Sequence, residues 1–155
     1  MAATVLFDLD CGFCRWSLAQ LLAWDRRGRL RAVPIQSQVG GQLLAGLAPE
    51  RRLASWHLVT ASGQRLSAAA ALAPLLRRLP GGRPLAALAE RLPSAVERGY
   101  RFVAEHRPVF SQLVSDRARR RADRRIELRG VSLDGGRAAA DLTPPRCGVR
   151  SRASA

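Results

Sequence analysis

The chain has 155 residues, with 26 arginines against 12 acidic residues, a formal net charge of +14, three cysteines, and neither lysine nor asparagine. That length bounds it to one domain with a single hydrophobic core that requires no metal or disulfide staple. No stretch approaches the ~18 apolar residues of a membrane span, and no basic segment followed by an apolar run opens the chain as a secretory leader would. The all-arginine basic set, beside abundant Ala, Leu, Gly and Pro, points to a GC-rich bacterial genome, so arginine content says little about selection for phosphate. An odd cysteine count and the lack of a leader favour a reducing cytoplasm and thiol catalysis over structural disulfides.

In chain order, Thr4-Val5-Leu6-Phe7 is a short β-favouring apolar run. It leads through Asp8-Leu9-Asp10 into Cys11-Gly12-Phe13-Cys14, and Leu18, Leu21 and Leu22 follow Cys14 at i+4, i+7 and i+8. A strand that turns at a Cys-x-x-Cys into an amphipathic helix reads as a thioredoxin-like redox motif. Cys11, at the helix start, meets orphan N–H groups and the positive end of the dipole, which favour thiolate; it is the expected nucleophile. Cys14, one turn further in and heading the apolar stripe, is placed to resolve a mixed disulfide. Asp10 is the expected N-cap, and its carboxylate beside Cys11 opposes thiolate formation. For Asp8 two roles stand side by side: proton acceptor for Cys14 during resolution, or a carboxylate that caps backbone N–H groups.

Trp24 to Arg29 reads as a helix end with Gly28 as C-cap, and Leu30 to Ile35 as a second strand, near an edge because of Pro34. Gln36 to Leu47 is a loose helical segment and Pro49 to Arg52 a turn. Trp56 to Thr60 and Gln64 to Leu66 pair as a hairpin across Ala61-Ser62-Gly63. Helices follow over Ser67–Leu79, Leu85–Leu92 and Ser94 to about Val114, separated by Pro80-Gly81-Gly82 and Pro93. The order β-α-β-α-β-β-α defines an α/β, thioredoxin-like class: a small central sheet, flanking helices and an additional C-terminal helical segment.

Two other readings use the same residues. Val5-Leu6-Phe7-Asp8-Leu9-Asp10 is also how haloacid-dehalogenase-type phosphatases begin, with the two aspartates as phosphoryl acceptor and general acid/base beside Mg²⁺. Gly12 stands where that pattern has Thr or Val, the chain has no lysine to clamp phosphate, and no later strand ends in paired acids. A basic, non-enzymatic nucleic-acid-binding module is the second alternative, since a +14 chain binds nucleic acid or anionic surfaces weakly and in a salt-dependent way. No nucleic-acid fold or aromatic stacking motif accompanies the charge.

Phe7-Asp8-x-Asp10-Cys11-Gly12-Phe13-Cys14, Pro34-Ile35-Gln36-Ser37, Trp56-His57-Leu58-Val59 with Gly63, and Gly99-Tyr100-Arg101-x-Val103-Ala104-x-x-Arg107 together resemble the DCC-type thiol-disulfide oxidoreductases, over about residues 4 to 114. Leu9 stands where the family commonly has Gly, and His106 where it has Asn. The resemblance implies exchange of a dithiol for a disulfide through Cys11 and Cys14; the expectation is that this needs no bound cofactor, while metal capture by the thiols stays open. Its partners would be a disulfide-containing protein or small molecule and an external electron donor. Thioredoxins place a cis-proline before the strand facing the Cys-x-x-Cys, and the matching position near Ala54-Ser55 has none.

The remaining candidates read more plainly as structure. His57 is expected as a sheet residue, Tyr100, Arg101 and Arg107 as packing and pairing residues of one helix, Trp16 as a half-exposed helix aromatic and Cys147 as a free, non-catalytic thiol. A zinc site would need His57, His106 and Cys147, which lack ligand-pair spacing. From Asp116 the composition turns to crowded arginine and then to Gly, Ser and Pro; eleven arginines face five acids there. The expectation is a domain over 1–115 and an Arg-rich, disordered tail over 116–155 that is dispensable for folding, with room for a helical continuation near its start.

Overall fold

The computed structural model describes residues 2–129. Strand β1 (Ala3–Phe7) is apolar at nearly every position because both of its faces are covered. Ala3, Val5 and Phe7 enter the larger core with Leu18 and Leu22, which belong to helix α1 (Gly12–Trp24), whereas Leu6 enters a second core with Val33, Ile35, Leu44 and Val59. Strand β2 (Leu30–Pro34) pairs parallel to β1, with Phe7 opposite Pro34, and Pro34 ends this edge strand where a missing N–H costs little. On the other side β3 (His57–Val59) pairs antiparallel to β1, and β4 (Arg65–Ser67) closes a hairpin with β3. The strand order is β2-β1-β3-β4, and this is the expected α/β, thioredoxin-like architecture.

Three helical expectations change in detail. Pro49–Ala54 is a short helix (α3) rather than a turn, since proline at N1 lacks only an N–H that the helix would leave unsatisfied anyway. It follows α2 (Gln38–Leu43), whose Gly40 packs so closely on the Pro34 and Ile35 carbonyls that a Cβ there would collide with both. The Ser67–Leu79 helix resolves into a 3-10 turn (Ala68–Ala71) and α4 (Leu72–Leu76), followed by α5 (Arg83–Arg91). The long helix from Ser94 is two helices, α6 (Pro93–Glu105) and α7 (Arg107–Leu113), with His106 between them. Pro108 accounts for the break: it has no N–H to donate to Ala104, and its ring would strike that carbonyl.

The boundary expected at Ser115 requires the larger correction. Residues Asp116–Glu127 form a helix (α8), begun by Ser115, whose hydroxyl accepts the Ala118 N–H, with Asp116 in the first turn at the positive dipole end. Ala122 and Ile126 are buried in the larger core, Ile126 completely. Dense arginine conceals an apolar stripe two residues long at i, i+4, too short to register as periodicity. Helix α8 lies along α1 in the same direction: Asp123 meets Arg15 at 3.4 Å, and Arg129 donates to the carbonyls of Leu22 and Asp25 at 2.9 and 2.8 Å. Residues 130–155, with Cys147 and the remainder of the expected tail, lie outside the described residues.

Because Ile126 fills space between α8 and the core, Ile126→Ala should cost about 2–4 kcal/mol in urea unfolding, with the slope unchanged. A loss below about 0.5 kcal/mol contradicts the docked position of α8.

Candidate functional site

The chain leaves β1 at Phe7, turns through Asp8-Leu9-Asp10 and enters α1 at Gly12. Cys11, not Asp10, is the N-cap: its backbone is extended (φ −89°, ψ 106°), its carbonyl accepts the Arg15 N–H at 3.1 Å, and its Sγ accepts the Cys14 N–H at 3.2 Å. The sulfur thus takes the place that a Ser or Asp oxygen holds in an ordinary cap. Cys11 and Cys14 form a disulfide with their Cα atoms 5.2 Å apart. Both cysteines are half-buried. The neighbouring N–H, that of Phe13, donates to the Ser111 hydroxyl of α7 at 3.1 Å.

Asp10 is exposed and does not cap the helix. Its backbone N–H donates to Asp8 Oδ1 at 3.0 Å, and the Gln36 side-chain amide donates to Asp8 Oδ1 at 2.6 Å and to Asp10 Oδ2 at 3.4 Å. Gln36 also accepts the Leu9 N–H at 3.2 Å. Of the two roles weighed for Asp8, this geometry displays the backbone cap; among the described residues no hydrogen bond joins Asp8 to Cys14. Gln36, Ser111 and Arg119 carry no role that the sequence pattern assigns, although Gln36 lies in the Pro34-Ile35-Gln36-Ser37 motif, Ser111 in the helical stretch from Ser94 and Arg119 in the arginine-rich segment.

Around the dithiol, Phe13 stacks on Trp16 (6.0 Å between centroids) and tilts against Phe110 of α7 (5.3 Å), which meets Phe102 of α6 edge-on (6.4 Å). Trp16 therefore covers Phe13 as one of several aromatics. Arg119 of α8 lies directly over Gly12: a Cβ added there would sit 3.6 Å from its Nε. That guanidinium donates to the Val114 carbonyl at 3.0 Å and to the Ser111 carbonyl.

His57, Tyr100 and Arg107 each have partners of their own. His57 is buried, with Nδ1 2.7 Å from the Ser67 hydroxyl and Nε2 2.9 Å from the Arg52 carbonyl. Since a carbonyl only accepts, Nε2 carries the hydrogen and Nδ1 accepts from Ser67. Burial holds its pKa below the ordinary 6.5, assisted by the Arg65 charge and opposed by the Arg52 hydrogen bond. Tyr100 is half-buried; burial raises its pKa, against the nearby Arg107 charge and hydrogen bonds to Ser55 and the Trp56 backbone. Arg107 donates to the Ala104 and Ala54 carbonyls at 3.1 and 3.0 Å, so Tyr100 and Arg107 fasten the segment before β3. Arg101 lines an open groove of about 890 Å³ with Pro74, Glu90 and Glu97. Among the described residues no three His, Cys, Asp or Glu side chains converge as metal ligands.

A family model described as DCC1-like thiol-disulfide oxidoreductase matches residues 5–113. No curated protein and no solved structure matches the chain.

His57 also sets a pH dependence. With its folded pKa below that of the unfolded chain, unfolding takes up a proton in the interval between the two. Its contribution to stability is complete above about pH 6.5 and is lost as pH falls through that value toward the folded pKa. Urea midpoints measured from about pH 7.5 to 5 should fall more steeply for the native chain than for His57→Gln. Parallel curves remove His57 as the cause.

Proposed function

We propose that this chain, which belongs to the DCC1-like thiol-disulfide oxidoreductase family, acts as a reductase of disulfides in proteins or small molecules, with Cys11 as nucleophile and Cys14 as resolving thiol. The observation that carries the reading is Cys11 Sγ in the N-cap position, accepting the Cys14 N–H while bonded to Cys14. A thiolate formed there keeps that hydrogen bond and gains from the dipole of a 13-residue helix.

In the reduced enzyme, Cys11 thiolate attacks one sulfur of the substrate disulfide, forming a Cys11–substrate bond and expelling the other substrate sulfur as a thiolate. Cys14 gives up its proton, for which we assign Asp8 as acceptor, and attacks Cys11 Sγ; the Cys11–Cys14 bond forms and the second substrate thiolate leaves. Both electrons come from the dithiol; the proton on Asp8 passes to one substrate thiolate and the other takes back from solvent the proton that Cys11 lost on ionising, so the exchange needs no bound cofactor. An external dithiol donor restores the reduced pair. Asp10, exposed beside Cys11, restrains thiolate formation. We assign the chain to a reducing bacterial cytoplasm, where such donors are available. No helix among the described residues is long and apolar enough to cross a membrane. Weak, salt-dependent association with nucleic acid or anionic surfaces accompanies the charge of +14.

The division of labour is tested by mixing single-thiol variants with a disulfide substrate and locating the adduct by non-reducing mass spectrometry. Cys14→Ser should stay covalently joined to substrate through Cys11, and Cys11→Ser should trap nothing. An adduct on Cys14 in the Cys11 variant, or none in either, overturns the assignment.

A further inference from the structure

We propose that Arg119 is a positioning residue for the dithiol, its guanidinium held over Gly12 so that its charge stabilises the Cys11 thiolate. This rests on Cys11 being the nucleophile and adds a group outside residues 5–113, on which the family model matches.

The placement is specific. Gly12 is the first residue of α1 and is bonded to Cys11; a Cβ built on it would lie 3.6 Å from Arg119 Nε and 3.7 Å from Cζ. The cation is also held in place, because Nε donates to the Val114 carbonyl at 3.0 Å and Nη2 to the Ser111 carbonyl, both in part-buried surroundings. A long, rotamer-rich side chain fixed in this way has already lost the freedom that makes exposed charges weak, and partial burial reduces its screening. Carbonyls satisfy its donors without cancelling its charge, and among the described residues no carboxylate forms an ion pair with it.

The other charges around the first turn of α1 leave this role open. On α1, Arg15 is neutralised by Asp123 of α8 at 3.4 Å. Asp8 and Asp10, in the turn after β1, oppose a thiolate. On α7 the one charged residue is Arg107, spent on the Ala104 and Ala54 carbonyls. The first turns of α8 carry exposed Asp116, Arg117 and Arg120 beside Arg119. Tyr100, by the segment before β3, has its pKa raised by burial and stays neutral near pH 7. Arg119 is thus the cation aligned with the dithiol, countering two aspartates. Ser111 couples the parts: its carbonyl anchors Arg119 while its hydroxyl accepts the Phe13 N–H between the cysteines.

The test uses the full chain with Cys14→Ser and Cys147→Ser, so that Cys11 is the single thiol, and reads its pKa from thiolate absorbance and from the pH profile of alkylation by iodoacetamide. Arg119→Gln should raise that pKa by about half a unit to one unit, and Arg119→Lys should stay close to the parent. An unmoved Arg119→Gln profile overturns the proposal. So does a Lys variant shifted as far as the Gln variant, because the hydrogen-bonding fork rather than the charge would then be responsible. If Arg119→Gln does not fold, Gly12→Val decides, since its γ-methyl groups extend from a Cβ already in van der Waals contact with the guanidinium and should push it aside while leaving every charge in the chain: an upward shift supports the role and an unchanged profile overturns it. Disulfide exchange by the unmodified dithiol is measured separately. Failure of exchange with an Arg119-dependent pKa counts against the proposed function alone, whereas exchange with no Arg119 dependence counts against this inference alone.

Discussion

The first turn of α1 has N–H groups that no residue of its own helix can accept, and the arrangement of the C-terminal half follows from how they are satisfied. The Cys14 N–H takes Cys11 Sγ, which fixes a sulfur at the helix start; the Phe13 N–H takes Ser111 Oγ, which brings α7 against the turn. Helix α7 has no fully buried residue, so its own packing holds it weakly. Its last carbonyls are secured by Arg119, and α8 in turn is secured by Ala122 and Ile126 in the core and by Arg129 on the carbonyls that end α1. Helix α8 therefore grips α1 at both ends.

Arginine carries much of this work through carbonyls rather than carboxylates. Arg52, Arg65, Arg78, Arg98, Arg107, Arg119, Arg125 and Arg129 all donate to main-chain oxygens, several at helix ends where the last carbonyls have no partner. A planar guanidinium with five donors can serve two carbonyls at once, which an ammonium on a flexible stem does less well. The acids are few and are used where geometry needs them. Asp25 is fully buried, accepts the Arg29 and Leu30 N–H groups at 3.0 and 2.8 Å, and so directs the chain from α1 into β2. Gly28, with φ +61°, supplies the left-handed step inside that turn rather than the helix cap itself.

The sequence exposed those features whose signal is local. Alternation in Leu30–Pro34, the Gly63 turn and the apolar run Ala3–Phe7 fixed the sheet, and the strand–Cys-x-x-Cys–helix order fixed the dithiol at the end of β1. The cap was misassigned because aspartate outranks cysteine in cap preference, yet Gln36, distant in sequence, draws both aspartates aside. A helical start to the arginine-rich segment was legible, but its docking was not, because the two buried positions of α8 are surrounded by arginines whose donors find partners only once α1 and α7 are in place. The break at His106 was available from Pro108, but continuous helix-favouring residues on both sides masked it.

The segment before β3 shows how a missing constraint is replaced. Continuing the β1–β3 register past Leu6 opposite His57 sets Ser55 opposite Asp8, at the same end of the sheet as the cysteines. No proline stiffens Ala54-Ser55-Trp56. Instead Arg107 bonds the Ala54 carbonyl, Tyr100 lies against Ser55 and the Trp56 backbone, and the His57 ring spans from Ser67 back to the Arg52 carbonyl. Fixing φ through a proline ring restrains a loop regardless of its surroundings; fixing it through side chains from α6, α7 and β4 makes its shape depend on how those elements pack. The segment before β3 is thereby tied to α6 and α7, and α7 also carries the Ser111 that anchors Arg119, so both depend on one set of supports.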